Sequence, residues 1–464
     1  MYVDGKNGVR CCTFCVFITK NPVAREINMI IDFTVENFRS IKKAQTLSML
    51  ATKLKEHPQN IAKIDQSDRL NILKSCVIYG ANASGKSNVL KSLVEFRNII
   101  LHSTELKLKQ RIPAYEPFRL DKSCTVAPTK FEMEFIPYGD GIRYRYLVEF
   151  TEFHIEREEL FFYPKKQEAI LFSRVKGSPI KFGNYLTGKK KNIEGELLGN
   201  NLFLSKAANS NHEQLKGVYL YFLTEFEIMM KDSFGEFVSK NHTSRAIHSN
   251  ECEALRDKVK RFLMSVDTGI SSLEVIKREL DDEVKGMISS DLPLIIKEAM
   301  EDNFIYRTQV GHKLYENDEE AGEVQFDLRE ESDGTVKLYS LACDLIEVLL
   351  EGKILIIDEL DNSLHPHITS LIFNLFNDPK INKKNAQLIT ATHDSSLLNP
   401  DFVRRDQVWF TKKIFNNSTE LYSLVEFDKN EVRSKTQFND WYLAGRFDAV
   451  PIIDKSIYEI FETN

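Results

Sequence analysis

Three segments of this sequence predict an α/β fold built on a parallel sheet. Residues 72–79, ILKSCVIY, read as a β-strand running into Gly80, and a helical pattern begins after Gly85. Residues 353–360, KILIIDEL, read as a second strand that ends in Asp358 and Glu359. Residues 386–392, AQLITAT, read as a third, ending at His393 and Asp394. Short apolar runs bounded by turn signals suit strands of a parallel sheet covered on both faces.

The first strand and its helix are joined by GANASGKS, residues 80–87, which fits G-x-x-x-x-G-K-[ST] at every fixed position. Glycines at 80 and 85 let the backbone curl so that successive N–H groups face an anion. The helix N-terminus adds partial positive charge. Lys86 is placed to reach β- and γ-phosphates, and the Ser87 hydroxyl to ligate Mg²⁺. The candidate nucleotide contacts are therefore Gly80, Asn82, Ala83, Ser84, Gly85, Lys86, Ser87 and Asn88. In the following helix Val89, Leu90, Leu93, Phe96, Ile99 and Ile100 recur at helical spacing and form one apolar stripe. The competing reading is a glycine turn ahead of a helix; the complete motif in a strand–loop–helix setting favours phosphate binding.

The second strand carries the run Ile354, Leu355, Ile356 and Ile357 before its two carboxylates. An acidic residue at the carboxyl end of such a strand lies beside the phosphates, so Asp358 is the expected second partner of Mg²⁺. Glu359 is the candidate that orients and polarises an attacking water. A surface acidic pair is the alternative, and it fits poorly after so apolar a strand. His393, at the end of the third strand, is expected to contact the γ-phosphate and to join Glu359 in catalysis, with a structural role as the alternative. Between these strands, DNSLHPHITSLIFNLF starts at Asp361 and becomes an amphipathic helix with Ile368, Leu371, Ile372, Leu375 and Phe376 on one side. His365 and Pro366 read as a helix-start turn rather than a metal site.

A chain of 464 residues is long enough for roughly two or three compact units. With 42% hydrophobic and 28% charged residues it has the composition of a soluble globular protein. A net charge of −6 gives no global reason to expect nucleic acid. The basic clusters GKKKN (188–192) and Arg404-Arg405 read as solvated surface. No run approaches the roughly 18 apolar residues of a membrane span. Of the seven cysteines, Cys11, Cys12 and Cys15 cluster near the start and the rest are scattered, without Cys or His at metal-ligand spacing. Free thiols in a cytoplasmic protein are the expectation. Residues 1–28 lack periodicity and read as an N-terminal extension, with Met29 an alternative start; 453–464 read as a C-terminal tail.

The set of motifs resembles the ABC-type ATPase heads of the RecF, SMC and OLD group. FTVENFRSIKKAQTLSM (33–49) is similar to their opening strands. Within that group the chain resembles the OLD-like AAA ATPases of bacterial phage-defence and abortive-infection modules. The segments that carry this are PFRLD (117–121), DTGI (267–270), ESDGTVKL (331–338), IIDELDNSLHP (356–366) and WYLAGRFDAVP (441–451). The resemblance implies ATP and Mg²⁺ as cofactors, Asp361 as a nucleotide contact of the D-loop, and Ser332 and Gly334 as a signature that grips the γ-phosphate of an opposite subunit. Asp333 departs from the usual glycine there, and plain helix capping by Ser332 or Asp333 is the alternative. The segment GRFDAVP is assigned no chemical role, since Asp448 stands where relatives often have glycine.

The resemblance further implies a homo-oligomer through ATP-sandwiched heads. The head is expected over 29–125 and 306–452. An inserted lobe is expected over 126–305, with a β-hairpin around the Gly-Asp-Gly of KFEMEFIPYGDGIRYRYLVEF and a mostly helical part over 211–305. No sustained heptad repeat supports a long coiled coil. After His393 no acidic constellation fits the Toprim nuclease that OLD proteins proper carry, so the effector, a nuclease or toxin, is expected on another chain. The alternative function is a RecF-like DNA-repair ATPase that binds DNA. A third is a scaffold in which ATP fixes an assembly without being hydrolysed.

Overall fold

The computed structural model describes residues 28–451 and 454, apart from 65–69, 138–140, 165–166, 231–232, 249–252, 267, 280–303 and 428–436. The chain divides into two compact units. The larger runs up to Met230 and adds Leu349–Asn362 and the chain from Thr369; the smaller is Lys231–Val348 with Ser363–Ile368.

The larger unit opens with β1 (Met29–Glu36), β2 (Gln45–Ser48), β3 (Ile61–Lys63), β4 (Asn71–Leu73) and β5 (Ser75–Gly80), followed by α1 (Lys86–His102). Strands β6 (Thr129–Ile136), β7 (Tyr144–Phe150), β8 (Ile155–Phe162), β9 (Ala169–Val175) and β10 (Lys181–Phe182) come next. They join β1 and β2 in one antiparallel sheet of order β10-β9-β8-β7-β6-β1-β2. The β6–β7 hairpin is the one expected from the alternating pattern; its turn residues 138–140 lie outside the described residues. Alternation in TKFEMEFI puts Phe131, Met133 and Phe135 in the core. Phe96 of α1 meets Phe33, Phe131, Tyr146 and Phe222 at 5.7–5.8 Å between ring centres, so the apolar stripe of α1 closes this sheet's inner face. The β-rich part of the expected insert thus continues the sheet begun by β1 and β2.

Helices α2 (Lys191–Gly195), α3 (Phe203–Asn209) and α4 (Glu213–Thr224) lead to β11 (Phe226–Met229). The fully buried Glu158 starts α3: its carboxylate accepts from the backbone N of Phe203 (2.7 Å) and Leu204 (2.9 Å), and from the Tyr146 hydroxyl (2.9 Å). A buried carboxylate persists only with its lone pairs filled in this way.

In the smaller unit, α5 (Ser233–His248) and α6 (Glu253–Ser265) precede an antiparallel sheet of β12 (Ser272–Glu279), β13 (Phe304–Glu316) and β14 (Glu319–Asp327), and α7 (Asp333–Glu351) follows. The helical expectation for 211–305 therefore stops at Ser265. SLEVIKRE alternates, with Leu273 and Val275 buried about an exposed Glu274, which is a strand's period rather than a helix's. The expected helix over 289–304 falls almost wholly outside the described residues.

The chain then completes the second sheet of the larger unit with β15 (Ile354–Ile357), α8 (Pro366–Asn377), β16 (Gln387–Ala391), β17 (Val408–Lys413) and β18 (Thr419–Ser423), and ends its described helices with α9 (Phe438–Leu443). The order is β11-β15-β16-β5-β17-β18, parallel except for the β17–β18 hairpin. This is the mixed α/β architecture, with a parallel sheet carrying the glycine loop, that the sequence predicts. The strand expected over 72–79 is split: the backbone N of Lys74 donates to Asn60 O, so β4 pairs with β3 while β5 enters the parallel sheet. Gln387 ties the two large sheets together, its amide exchanging hydrogen bonds with the backbone of Ile30 (2.9 and 3.0 Å) and donating to Leu73 O (3.0 Å).

Two further expectations are corrected. The buried side of α8 is Thr369, Ile372, Phe373 and Phe376, leaving Leu371 exposed. Arg404 is wholly buried rather than solvated: it forks onto Asp406 (2.8 and 2.7 Å) and donates to the carbonyls of Thr52, Leu54 and Glu56. An arginine in the interior needs that many acceptors. Among the described residues, no helix is long and apolar enough to cross a membrane.

Candidate nucleotide site

β5 is buried throughout and delivers Gly80 to the carboxyl edge of its sheet. The loop that follows cannot carry side chains at its two glycines. A Cβ on Gly80 (φ 156°) would sit 2.4 Å from Thr411 Oγ1, and one on Gly85 (φ 114°) 2.1 Å from Thr419 Oγ1. Ala83, at the exposed crest beside Asn82, also takes a left-handed conformation (φ 60°). For a residue with a Cβ this costs about 1–2 kcal/mol, and such strain collects at functional sites.

A set of hydroxyls holds this loop. Thr419 Oγ1 donates to Ser84 O (2.8 Å), Ser84 Oγ pairs with Thr411 Oγ1 (2.6 Å), and Thr411 Oγ1 donates to Tyr79 O (3.3 Å). Ser40 Oγ lies 2.7 Å from Thr419 Oγ1 and accepts from Asn88 Nδ2 at 2.7 Å. The side chains of Ser84 and Asn88 are thus engaged in shaping the loop. Nothing in the sequence singles out Thr411, Thr419 and Ser40, because isolated hydroxyl residues carry no pattern.

Lys86 is buried, and its Nζ donates to Gly80 O (2.8 Å) and Ala81 O (3.2 Å). The ammonium folds back over its own loop and occupies carbonyls that make weak substitutes for an anion. Burial lowers its pKa to about 8, against the attraction of Asp358, Glu359 and Asp361.

β15 is fully buried and brings Asp358 to the same edge of the sheet. Its side chain is 4% exposed, and Oδ1 is buried with no hydrogen-bond partner. Burial raises its pKa, opposed first by the hydrogen bond from Ser87. An orphaned carboxylate oxygen beside a serine hydroxyl is a hard-oxygen pair that fits Mg²⁺. Glu359 follows in a left-handed conformation (φ 52°) that turns the chain sharply at the strand end.

β16 lies between β15 and β5, so the third strand ends between the loop and the acidic pair. Asp361 accepts from Thr392 Oγ1 (2.6 Å) and, with both oxygens, from the backbone N of His393 (3.2 Å each). It thereby fixes the turn that presents the exposed His393. Asp361 acts here as a latch between two strand ends, a role that sequence reasoning did not foresee. Tyr79 OH donates to Asp394 O (2.9 Å) and locks the same turn from the side of β5.

The segment WYLAGRFDAVP, assigned no chemical role, has a packing one. The Tyr442 ring lies 5.4 Å from that of Tyr79 and 6.0 Å from that of Phe410. Phe447 stacks on Phe410 at 5.1 Å.

Ser332 and Gly334 belong to the smaller unit. Ser332 is exposed; its Oγ accepts from the backbone N of Thr335 (3.2 Å), capping α7. A Cβ on Gly334 would lie 2.8 Å from Ser363 O, so glycine is required where this turn meets its neighbour.

A family model described as "AAA domain, putative AbiEii toxin, Type IV TA system" matches residues 76–399, from within β5 to just beyond His393. No curated protein matches the chain. Among solved structures, an SmcHead bound to the C-winged helix domain of ScpA is similar, with 12% identity and a TM-score of 0.38 over 85% of this chain and 97% of that one.

Proposed function

Since the chain belongs to this AAA-domain family, we propose that it is a Mg²⁺-dependent ATPase that assembles on ATP and controls a separate effector in anti-phage defence. The observation that carries the ATPase reading is Asp358 Oδ1, buried without a partner beside Ser87. Ser87 and Asp358 would hold Mg²⁺, which would supply positive charge beside the phosphates. The N–H groups from Gly80 to Lys86 cradle the phosphates, and Lys86 exchanges the carbonyls of Gly80 and Ala81 for phosphate oxygens. Glu359 orients the attacking water, and His393, positioned by Asp361, faces the γ-phosphate.

Ser332 and Gly334 at the start of α7 supply the contact to a second head, making the homo-oligomer depend on ATP. The family's description as a putative toxin of a type IV toxin–antitoxin system supports a role beside a second protein, and a separate nuclease or toxin is the effector in this reading. The experiment is Mg-ATP binding and turnover by the purified chain. Wild type binds and hydrolyses, Glu359→Gln binds without hydrolysing, and Lys86→Ala does neither. Equal binding by Lys86→Ala would remove the proposal. Duplex DNA binding with a steep salt dependence would instead favour a DNA-repair role.

A further inference from the structure

The smaller unit holds a cluster that the nucleotide site does not use. His242 on α5 faces Cys343, Asp344 and Glu347 on α7. Its Nδ1 donates to Asp344 Oδ1 at 2.5 Å. Its Nε2 points the other way, 3.9 Å from Cys343 Sγ and 3.5 Å from Glu347 Oε2. One ligand atom from each of His242, Cys343 and Glu347 lies within 4.8 Å of the other two. Cys343 and Glu347 are four positions apart, which sets them above one another on a helix face.

We propose that His242, Cys343 and Glu347 bind one divalent transition-metal ion of the zinc type, with Asp344 orienting the imidazole. The donor set is the argument. Zinc accepts thiolate, imidazole and carboxylate together, at bond lengths of about 2.0–2.3 Å, which place neighbouring ligand atoms of a tetrahedron roughly 3.4–3.8 Å apart. The separations from Nε2, 3.5 and 3.9 Å, lie within and just beyond that range before any ion draws the ligands in. A ligating histidine nearly always gives its other N–H to a carboxylate, and Asp344 already accepts it. Cys343, Asp344 and Glu347 are almost wholly buried, whereas the His242 side chain is 36% exposed, giving an ion a way in from solvent. Burial holds the Cys343 thiol protonated, at a pKa of about 11, and, against the effect of burial, Cys343 and Asp344 hold the His242 imidazole protonated, so binding releases both protons to solvent. Three protein ligands leave the fourth position to water. The ion would clasp α5 to α7, the helix that begins at the Ser332 turn.

The test uses the full chain with Cys11→Ser, Cys12→Ser and Cys15→Ser, which removes the other thiol cluster. Stripped by a chelator and dialysed against zinc, it should retain one zinc ion per chain; loaded with Co²⁺ it should show thiolate-to-metal charge-transfer absorption. Cys343→Ser should abolish that absorption, and His242→Ala should weaken zinc binding at least tenfold. Asp344→Asn should weaken it about 10–100-fold while keeping the absorption. Lys86→Ala should change none of these. A zinc-dependent rise in melting temperature that His242→Ala loses serves as a second readout if Cys343→Ser does not fold. Failure of the parent chain to retain zinc, or charge-transfer absorption that persists in Cys343→Ser, overturns the proposal.

Discussion

Thr419 Oγ1 donates a 2.8 Å hydrogen bond to the carbonyl oxygen of Ser84, fastening the crest of the phosphate loop to the neighbouring hairpin. The same oxygen is the atom that a Cβ on Gly85 would strike at 2.1 Å. Thr419→Val keeps the shape, removes the hydroxyl and leaves Ser84 O unpaired. Leaving such a buried acceptor unpaired costs about 1–3 kcal/mol. The expected result is a lower melting temperature with a Mg-ATP affinity reduced by roughly tenfold, a loss of about 1.4 kcal/mol. Calorimetric titration checks it; an unchanged affinity would show that the clamp does not shape the loop.

Gly85→Ala should be harsher. It combines the contact with Thr419 and a left-handed φ of 114° that no L side chain adopts comfortably. Loss of Mg-ATP binding with folding retained, judged by circular dichroism, is the expected outcome. Wild-type binding by this variant would mean that the loop rearranges before it meets phosphate.

Lys86 gives a pH dependence whose sign can be worked out. Its pKa falls from 10.5 in the unfolded chain to about 8 in the folded one. Between those values the unfolded chain holds the extra proton, so the nucleotide-free protein gains stability as pH rises through that window. Phosphate binding needs the ammonium and therefore weakens over the same interval. Mg-ATP affinity should be level below pH 8 and fall above it by up to about tenfold per pH unit. Lys86→Arg, always charged, should flatten the profile, and affinity measured from pH 7 to 9.5 decides it.

Asp358 separates stability from function. Burial raises its pKa, so its charge is a cost to the nucleotide-free fold. Asp358→Asn should leave the free protein at least as stable as wild type, while removing the stabilisation by Mg-ATP. Melting curves with and without Mg-ATP test both halves. A marked drop in the melting temperature of the free variant would make Asp358 a structural residue instead.

The parts of this site that sequence could reveal are those with fixed spacing. GANASGKS and the four buried residues before Asp358 announce their places because local backbone geometry sets their chemistry. The latch of Asp361 on Thr392, the hydroxyl clamp and the docking of Tyr442 on Tyr79 are contacts between distant segments, chosen by sheet order. No local pattern encodes them. Strand β12 was missed because SLEVIKRE satisfies a helical reading as readily as an alternating one until its partner β13 is known. His242 and Cys343 illustrate the same limit, since ligand spacing along the chain is silent about side chains that meet across two helices.

Ser332 stands where a helix cap and a contact to a second head would coincide. Its hydroxyl already caps α7 through Thr335 N, at 3.2 Å, and it is also exposed at the helix start. Capping and phosphate contact use different capacities of the group, because a hydroxyl that accepts from a backbone N–H still has a proton to donate. Ser332→Ala removes both and should cost about 1 kcal/mol of stability. Ser332→Asp retains the cap but repels phosphate. If the residue serves only as a cap, Ser332→Asp should form ATP-dependent assemblies like wild type. If it grips the nucleotide of a second head, Ser332→Asp and Ser332→Arg should both bind Mg-ATP with near-normal affinity yet stay monomeric in sedimentation runs with ATP, which is the outcome expected here.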